Sequence, residues 1–158
     1  MSQNSKPKPR QSNPIVNRRA KFDYELSEDL VVGIELTGPE VRAARDNRVQ
    51  LKGAYVTLRD GQLWLNNASF SLRLNERGQS SSVTVDTRAR RLLAHRSQID
   101  SFASSKQSGI TIVPTKLLTA GRYIKLVIAL GKGKKHYDKR ETIKRRDIDR
   151  EHKRQLKH

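Results

Sequence analysis

The middle of the chain alternates apolar and polar residues in the period of β-strands. Tyr55-Val56-Thr57-Leu58 and Leu63-Trp64-Leu65 flank Asp60-Gly61, a dipeptide favoured in tight hairpin turns because it tolerates positive φ. The pattern predicts a hairpin with Tyr55 and Trp64 on its buried inner face, core packing outweighing base stacking for both. SFSLRL (69–74) adds a strand, and NERGQSSS reads as a polar loop. Upstream, FDYEL (22–26) and LVVGIEL (30–36) read as two strands separated by the acidic SED. ITIVPTKLL and YIKLVIAL form a second hairpin across Thr119-Ala120-Gly121.

Helical signals are short. Thr37 stands before GPEVRAARDN with Glu40 three positions on, a capping-box pattern, and Pro39 suits a first turn. This helix should end near Arg45. TRARRLLAHRSQIDSFASSKQSG reads as helical, with a break near His95 and a stop at Gly109. Some six strands with short connecting helices predict a mainly β fold, an OB-like antiparallel barrel with short flanking helices and disordered basic arms at both ends. By composition, residues 1–16 are a disordered basic leader, 17–130 the barrel and 131–158 a basic tail.

Charge sharpens this division. The net charge of +17 points to a polyanionic partner. Residues 1–21 contribute +6, residues 22–130 only +4, and residues 131–158 +7. Without cysteine there is neither disulfide nor thiolate metal site, which permits a reducing, cytoplasmic location. MSQNSKPKPRQSNPIVN lacks the apolar core of a secretory signal, and the apolar run at Leu126–Leu130 is too short to span a bilayer. Neither arm has an amphipathic, aromatic-rich face, so nucleic acid is favoured over a membrane surface.

Catalytic patterns are missing. GKGKK lacks the Gly spacing and the Ser or Thr after Lys that a phosphate-cradling P-loop needs. His95, His136, His152 and His158 have no metal-ligand spacing, and no carboxylate pair predicts a two-metal nuclease. The sequence therefore predicts no enzyme, no cofactor and no metal. Arg42, Arg45 and Arg48 form one basic cluster, Arg88, Arg90, Arg91 and Arg96 a second, and NRRAK (17–21) a third. Each suits a solvated face or a phosphate backbone. Tyr137 sits among cations, an arrangement that suits base stacking as well as packing back on the barrel.

NRRAKFDYEL, GIELTGPEVRAAR, LKGAYVTLRDGQLWL, RARRLLAH and GKGKKHYDKR follow one another in an order that closely resembles the SmpB family of bacterial tmRNA-binding proteins. The resemblance covers about residues 17–158. It implies an OB-like barrel that binds the tRNA-like domain of tmRNA and enters the vacant decoding site of stalled ribosomes, beginning trans-translation. Asn17, Arg18, Arg19 and Ala20 match the family's opening motif, and Gly33, Gly38, Glu40 and Val41 its strand-to-helix block. Lys125 matches a basic RNA-binding position, and Tyr137, Asp138, Lys139 and Arg140 the decoding-centre motif. Two positions depart: Val31 stands where the family is usually acidic, with Glu35 the candidate substitute, and Ala94 replaces a leucine.

Charge and resemblance together assign tmRNA contact to Asn17, Arg18, Arg19, Lys21, Gly33, Glu40, Arg45, Arg90, Arg91, Lys125, Lys132, Lys134 and Lys135. The decoding centre and mRNA channel are assigned Tyr137, Asp138, Lys139, Arg140, Lys144, Arg145, Ile148 and Arg150. Implied partners are tmRNA, the small ribosomal subunit with its 16S rRNA, and EF-Tu with alanylated tmRNA, the protein acting as a monomer. Composition alone also accommodates an intrinsic ribosomal protein with rRNA-binding arms. In the tail, Glu141–Arg145 and Asp149–Lys153 favour helix while Arg146–Arg150 and Arg150–Arg154 oppose it. Ile143, Ile148 and Leu156 form no stripe. The tail is therefore expected to be disordered when free and helical on the ribosome.

Overall fold

The computed structural model describes residues 13–74, 82–106 and 108–155. The strands are β1 (Ile15–Val16), β2 (Tyr24–Ile34), β3 (Val49–Gln50), β4 (Tyr55–Arg59), β5 (Gln62–Asn66), β6 (Ser69–Leu74), β7 (Ser82–Asp86), β8 (Arg90–Leu93), β9 (Ile110–Leu118) and β10 (Lys125–Gly133). The helices are α1 (Arg18–Asp23), α2 (Gly38–Arg45), α3 (Arg96–Ser105) and α4 (His136–Gln155). Strands β4, β5, β8, β2, β10 and β9 pair in that order, and β4 returns to β9 at Val56↔Ile112, closing the expected six-stranded antiparallel barrel. β1 pairs with β9 outside the ring, and β3, β6 and β7 form a second, three-stranded sheet. Leu63, Leu65, Leu92, Ile112, Leu117, Leu126 and Ile128 fill the core; their burial drives closure.

The Asp60-Gly61 hairpin forms with both residues at positive φ, 49° and 69°, but its faces are the reverse of the expectation. Val56, Leu63 and Leu65 are buried, whereas Tyr55 is 46% exposed and Trp64 half-buried. Period-2 alternation groups Tyr55 with Thr57 and Arg59, and Trp64 with Gln62 and Asn66. Turning the aromatics inward would bury Thr57, Arg59 and Gln62 with them, so the aliphatic set goes in; Asn66, buried on the outer side, bonds Thr57 Oγ1 and Trp64 O.

Other differences have similar tertiary causes. FDYEL and LVVGIEL belong to one strand, β2, apart from Phe22 and Asp23, which close α1, and Glu35 and Leu36, which follow the strand. Glu28, at φ 47°, is a bulge left unpaired between Ser27↔Leu130 and Asp29↔Ala129, so the acidic break is absorbed in a continuous ladder along β10. RRLL is strand β8, not helix, because it fills the gap between β2 and β5. The break expected at His95 is the start of α3, where Gln98 Oε1 accepts from His95 N–H at 3.0 Å. Ile15 and Val16, placed in the disordered leader, form β1 against Leu117 and Lys116; residues 1–12 of that leader and residues 75–81 of the expected polar loop NERGQSSS lie outside the described residues. Helix α1 was not anticipated, being only six residues long. Along the tail, His136 to Gln155 form α4. Its Glu141–Arg145 pair closes at 3.0 Å.

Helix α2 carries the residue on which the two sheets converge. Thr37 N–H donates to Glu40 Oε2 at 2.7 Å, so the predicted cap is present. The same carboxylate is fully buried and meets Arg90, whose side chain is also inaccessible, at 2.8 Å, and Arg88 at 2.8 Å. Arg90 spends its remaining donors on the carbonyls of Ala68, Asp86 and Arg88 and stacks 3.9 Å from the Phe70 ring centroid. Burial pushes the Glu40 carboxyl up, but Arg88, the Thr37 N–H and Arg90 together outweigh it and hold the carboxyl below its ordinary value. Burial lowers Arg90 despite Glu40, while hydrogen bonding to Glu40 raises Arg88.

Removing one partner strands a buried charge. Glu40→Gln should therefore cost about 3–5 kcal/mol in urea unfolding at neutral pH. Because the folded carboxyl is lowered, its stabilisation is full above the ordinary carboxylate pKa and is lost as pH falls through the lowered value. The stability gap between wild type and Glu40→Gln should therefore narrow on acidification; a gap independent of pH would refute this ion-pair account.

Candidate nucleic-acid interface

Strand β10 organises the basic residues into two groups. Its first residue, Lys125, lies opposite Gly33 of β2, and its last, Gly133, opposite Tyr24. The strand separates these ends by roughly 26 Å at about 3.3 Å per residue.

At the Lys125 end, a cavity of about 320 Å³ is lined by Gly33, Leu36, Leu93, Arg122, Tyr123 and Lys125 among others. Gly33 runs close to β8: a Cβ there would lie 3.2 Å from Leu93 Cβ. Arg45 Nη2 donates to Arg122 O at 3.3 Å, bringing the end of α2 to the same rim. Arg91 is exposed next to Leu93's strand position, its Nε donating to Gln62 Oε1 at 2.7 Å. Thus Gly33, Arg45, Arg91 and Lys125 gather at one end, as a phosphate-binding surface requires. The sequence reading missed Tyr123, 69% exposed, and Arg122 beside it. An aromatic between Arg and Ile in a Gly-containing hairpin loop was the available signal. Val31 and Leu93, each 50% exposed, add apolar surface nearby.

At the opposite end, Arg18, Arg19 and Lys21 are exposed on α1. Asn17 fixes that helix: its Oδ1 accepts from Ala20 N–H at 3.2 Å, and its Nδ2 donates to Leu51 O and Pro114 O at 3.0 and 2.9 Å. Arg19 bonds Asp23 at 2.9 Å. Lys132 and Lys135 are exposed, while Lys134 joins β10 to α1 through Nζ–H to Lys21 O at 3.0 Å and N–H to Asp23 O at 2.9 Å. From here α4 departs, with Asp138 Oδ2 accepting from Lys135 N–H at 3.2 Å. Tyr137 and Lys139 lie in its first turns, and Arg140, Lys144, Arg145, Ile148 and Arg150 are exposed along it. Arg146 sits 5.6 Å from the centroid of Phe22, with Arg19 5.3 Å from the same ring.

Three residues assigned to tmRNA have structural roles instead. Glu40 and Arg90 are buried and satisfied by one another, and Asn17 is buried with its amide committed to α1 and two strands. None presents a free polar edge to RNA. Alternation along RARR was the missed signal, since it sends Arg90 and Leu92 inward together while Arg91 and Leu93 face out. Among the described residues no group of three or more His, Asp or Glu could hold a metal ion.

Comparison with known proteins gives a consistent result. The family model described as SmpB protein matches residues 14–158. An SsrA-binding protein from Nostoc sp. is 43% identical over 142 residues, covering 89% of this chain and 90% of that protein. Another from Ligilactobacillus salivarius is 39% identical over 155 residues, covering 97% of each. A solved chain from work described as "tmRNA-SmpB: a journey to the center of the bacterial ribosome" matches with TM-score 0.59 and 34% identity, covering 78% of this chain and 85% of that one.

The geometry of α4 yields a test of its own. Besides salt bridges along its own length and the Lys135–Asp138 bond at its start, the helix meets α1 where Arg146 lies over Phe22. An exposed cation–π contact contributes about 0.5–1 kcal/mol, enough to shift a helix whose pair terms nearly cancel. Phe22→Ala should lower tail helicity, read from backbone chemical shifts of residues 140–150, without lowering the unfolding midpoint of the barrel. Unchanged tail shifts would show that the contact does not hold the helix.

Proposed function

The chain belongs to the SmpB family, and from that premise we propose an RNA-binding adaptor for trans-translation. It binds the tRNA-like domain of tmRNA and delivers it to the vacant decoding site of stalled ribosomes, with its tail occupying the empty mRNA channel. Peptide tagging and ribosome rescue follow. The observation that carries this reading is the separation of two basic surfaces across the length of β10. One end sets Arg122 and Lys125 on an apolar cavity bearing an exposed tyrosine, with Arg45 bonded to the Arg122 carbonyl. This end suits the folded tRNA-like domain, where cations meet phosphate and an apolar surface meets sugar and base edges. The other bears α1, Lys132, Lys135 and α4, which suits the small subunit and its 16S rRNA.

The chemistry is association, not bond making. Lys and Arg release counterions from phosphate without requiring a base sequence, as a helper of ribosomes stalled on any message needs. Tyr137 and Asp138, in the first turn of α4, are placed at the decoding centre, and Lys139, Arg140, Lys144, Arg145, Ile148 and Arg150 in the channel beyond. Surrounding rRNA phosphate offsets the Arg146–Arg150 repulsion. On this reading the protein is a cytoplasmic monomer, and EF-Tu carries it in with alanylated tmRNA. Among the described residues no helix is long and apolar enough to cross a membrane. Family membership favours this adaptor over an intrinsic ribosomal protein; co-purification separates them, because an adaptor follows tmRNA and a structural protein follows every subunit.

The two ends should separate in experiment. Lys125→Ala should weaken binding to tmRNA, and that binding should fall with salt with a log–log slope of roughly −4 if about five phosphates are neutralised. A chain truncated after Tyr137 should bind tmRNA nearly as well as the full chain yet fail to support tagging on stalled ribosomes. Loss of tmRNA binding on truncation, or tagging that survives it, would contradict the division of labour.

Tyr137 itself can be tested on the ribosome. Tyr137→Phe and Tyr137→His should support accommodation on stalled ribosomes, whereas Tyr137→Ala should lose about 1–3 kcal/mol of local interaction. Binding to free tmRNA should be unaffected by all three. A Tyr137→Ala chain with a destabilised barrel would instead make the ring part of the fold.

A further inference from the structure

The barrel closes weakly at one seam. β4 and β9 share a single registered pair, Val56↔Ile112, whereas β10 is paired along almost its whole length on both sides. Beside that seam, under α1, lies a cavity of about 320 Å³ whose lining includes Arg19, Tyr24, Gly53, Tyr55 and Thr111. Tyr55 is the aromatic that alternation turned outward, and it is 46% exposed. Gly53, at φ 76°, presents backbone to the cavity where a side chain would be strained, and Asn67 Nδ2 holds its carbonyl at 3.1 Å.

We propose that this notch is a binding pocket for one unpaired nucleobase of RNA, with the Tyr55 ring as its stacking surface. The inference rests on the chain being an RNA binder, but on neither tmRNA nor the ribosome in particular. The volume is at the small end of ligand pockets and has room for one nucleoside, not for a helix. Two tyrosines and Thr111 supply ring faces and hydroxyls, which suit a heterocycle better than an aliphatic chain. Arg19, 58% exposed while bonded to Asp23, stands at its rim, and exposed Arg18, Lys21 and Lys52 adjoin the lining residues Arg19, Ala20 and Gly53 in sequence. Those cations suit the adjoining phosphates. A duplex cannot offer a base face here, so the pocket selects single-stranded or flipped-out nucleotides.

The full chain is titrated into a single-stranded RNA hexamer carrying one 2-aminopurine, whose fluorescence is quenched by stacking, and into the same hexamer paired with its complement. Wild type and Tyr55→Phe should quench the single strand. Tyr55→Ala and Tyr55→Leu should lose the quench and bind about 5- to 150-fold more weakly, the fold-change of one lost stacking contact. Two substitutions guard against a folding artefact, and unchanged unfolding midpoints verify it. Quenching by Tyr55→Ala equal to wild type, or equal binding of the duplex, would overturn the proposal. Base-specific chemical probing then identifies the source, using the isolated tRNA-like domain in one arm and 30S subunits in the other. Tyr55-dependent protection in either supports the pocket and names its RNA; protection in neither overturns it. Wild-type protein that quenches the hexamer but ignores tmRNA would count against the adaptor reading alone.

Discussion

Glu40 and Arg90 are two opposite charges with almost no access to water, and the fold is arranged around keeping them together. The carboxylate comes from α2, the guanidinium from β8, and the ring beneath it, Phe70, from β6 of the second sheet. Each alone would be prohibitive in a low-dielectric interior; together, with carbonyls taking the spare donors, they are accommodated. An apolar trio of similar volume would satisfy the same space. What it would not specify is orientation: Arg90 meets Glu40 Oε1 through Nε and Nη2 while Arg88 spans both carboxylate oxygens, a set that accepts one geometry of α2 relative to the barrel, whereas aliphatic packing tolerates several.

Orientation matters because α2 ends at the rim of the Lys125 cavity. Arg45, seven residues from the start of α2, reaches Arg122 only if the helix axis is fixed. The buried pair thus sets a surface feature without touching it, and the residues that look most like RNA ligands in the sequence support those that do face solvent. Arg88 shows the transition between the two roles: it binds Glu40 on one side and remains partly exposed on the other.

Much of the barrel was legible because its signals are local. Asp60-Gly61 can hardly be anything but a tight turn, and Thr37 with Glu40 marked the start of α2. The misreadings occurred where a residue's fate depended on a distant strand. RRLL has no local reason to be extended; it is a strand because β2 and β5 leave a gap of its width. SED reads as a break until β10 is seen to run past it. At the interface, Lys125 entered only through the family resemblance, and charge alone could not distinguish Arg91 from Arg90, one residue away and facing the opposite way. That distinction needs the strand assignment first. Tyr123 was overlooked because one aromatic in a loop carries no periodic signature.

β10 is hydrogen-bonded to β2 on one side and β9 on the other, with Leu126, Ile128 and Leu130 locked in the core. Mechanically it is a stiff rod. Strain applied at Lys125 must cross the register shifts at Val127/Ile128 and Ala129/Leu130 and a close-packed core before it reaches Gly133, so occupancy of one end is expected to leave the intrinsic affinity of the other unchanged. Any cooperativity between the ends must come from effective concentration, the second partner being held near its site once the first is bound. Such coupling depends on the span and on the reach of the attached RNA, and core substitutions that soften the barrel will weaken it by blurring the distance, with no pathway of side chains carrying a signal.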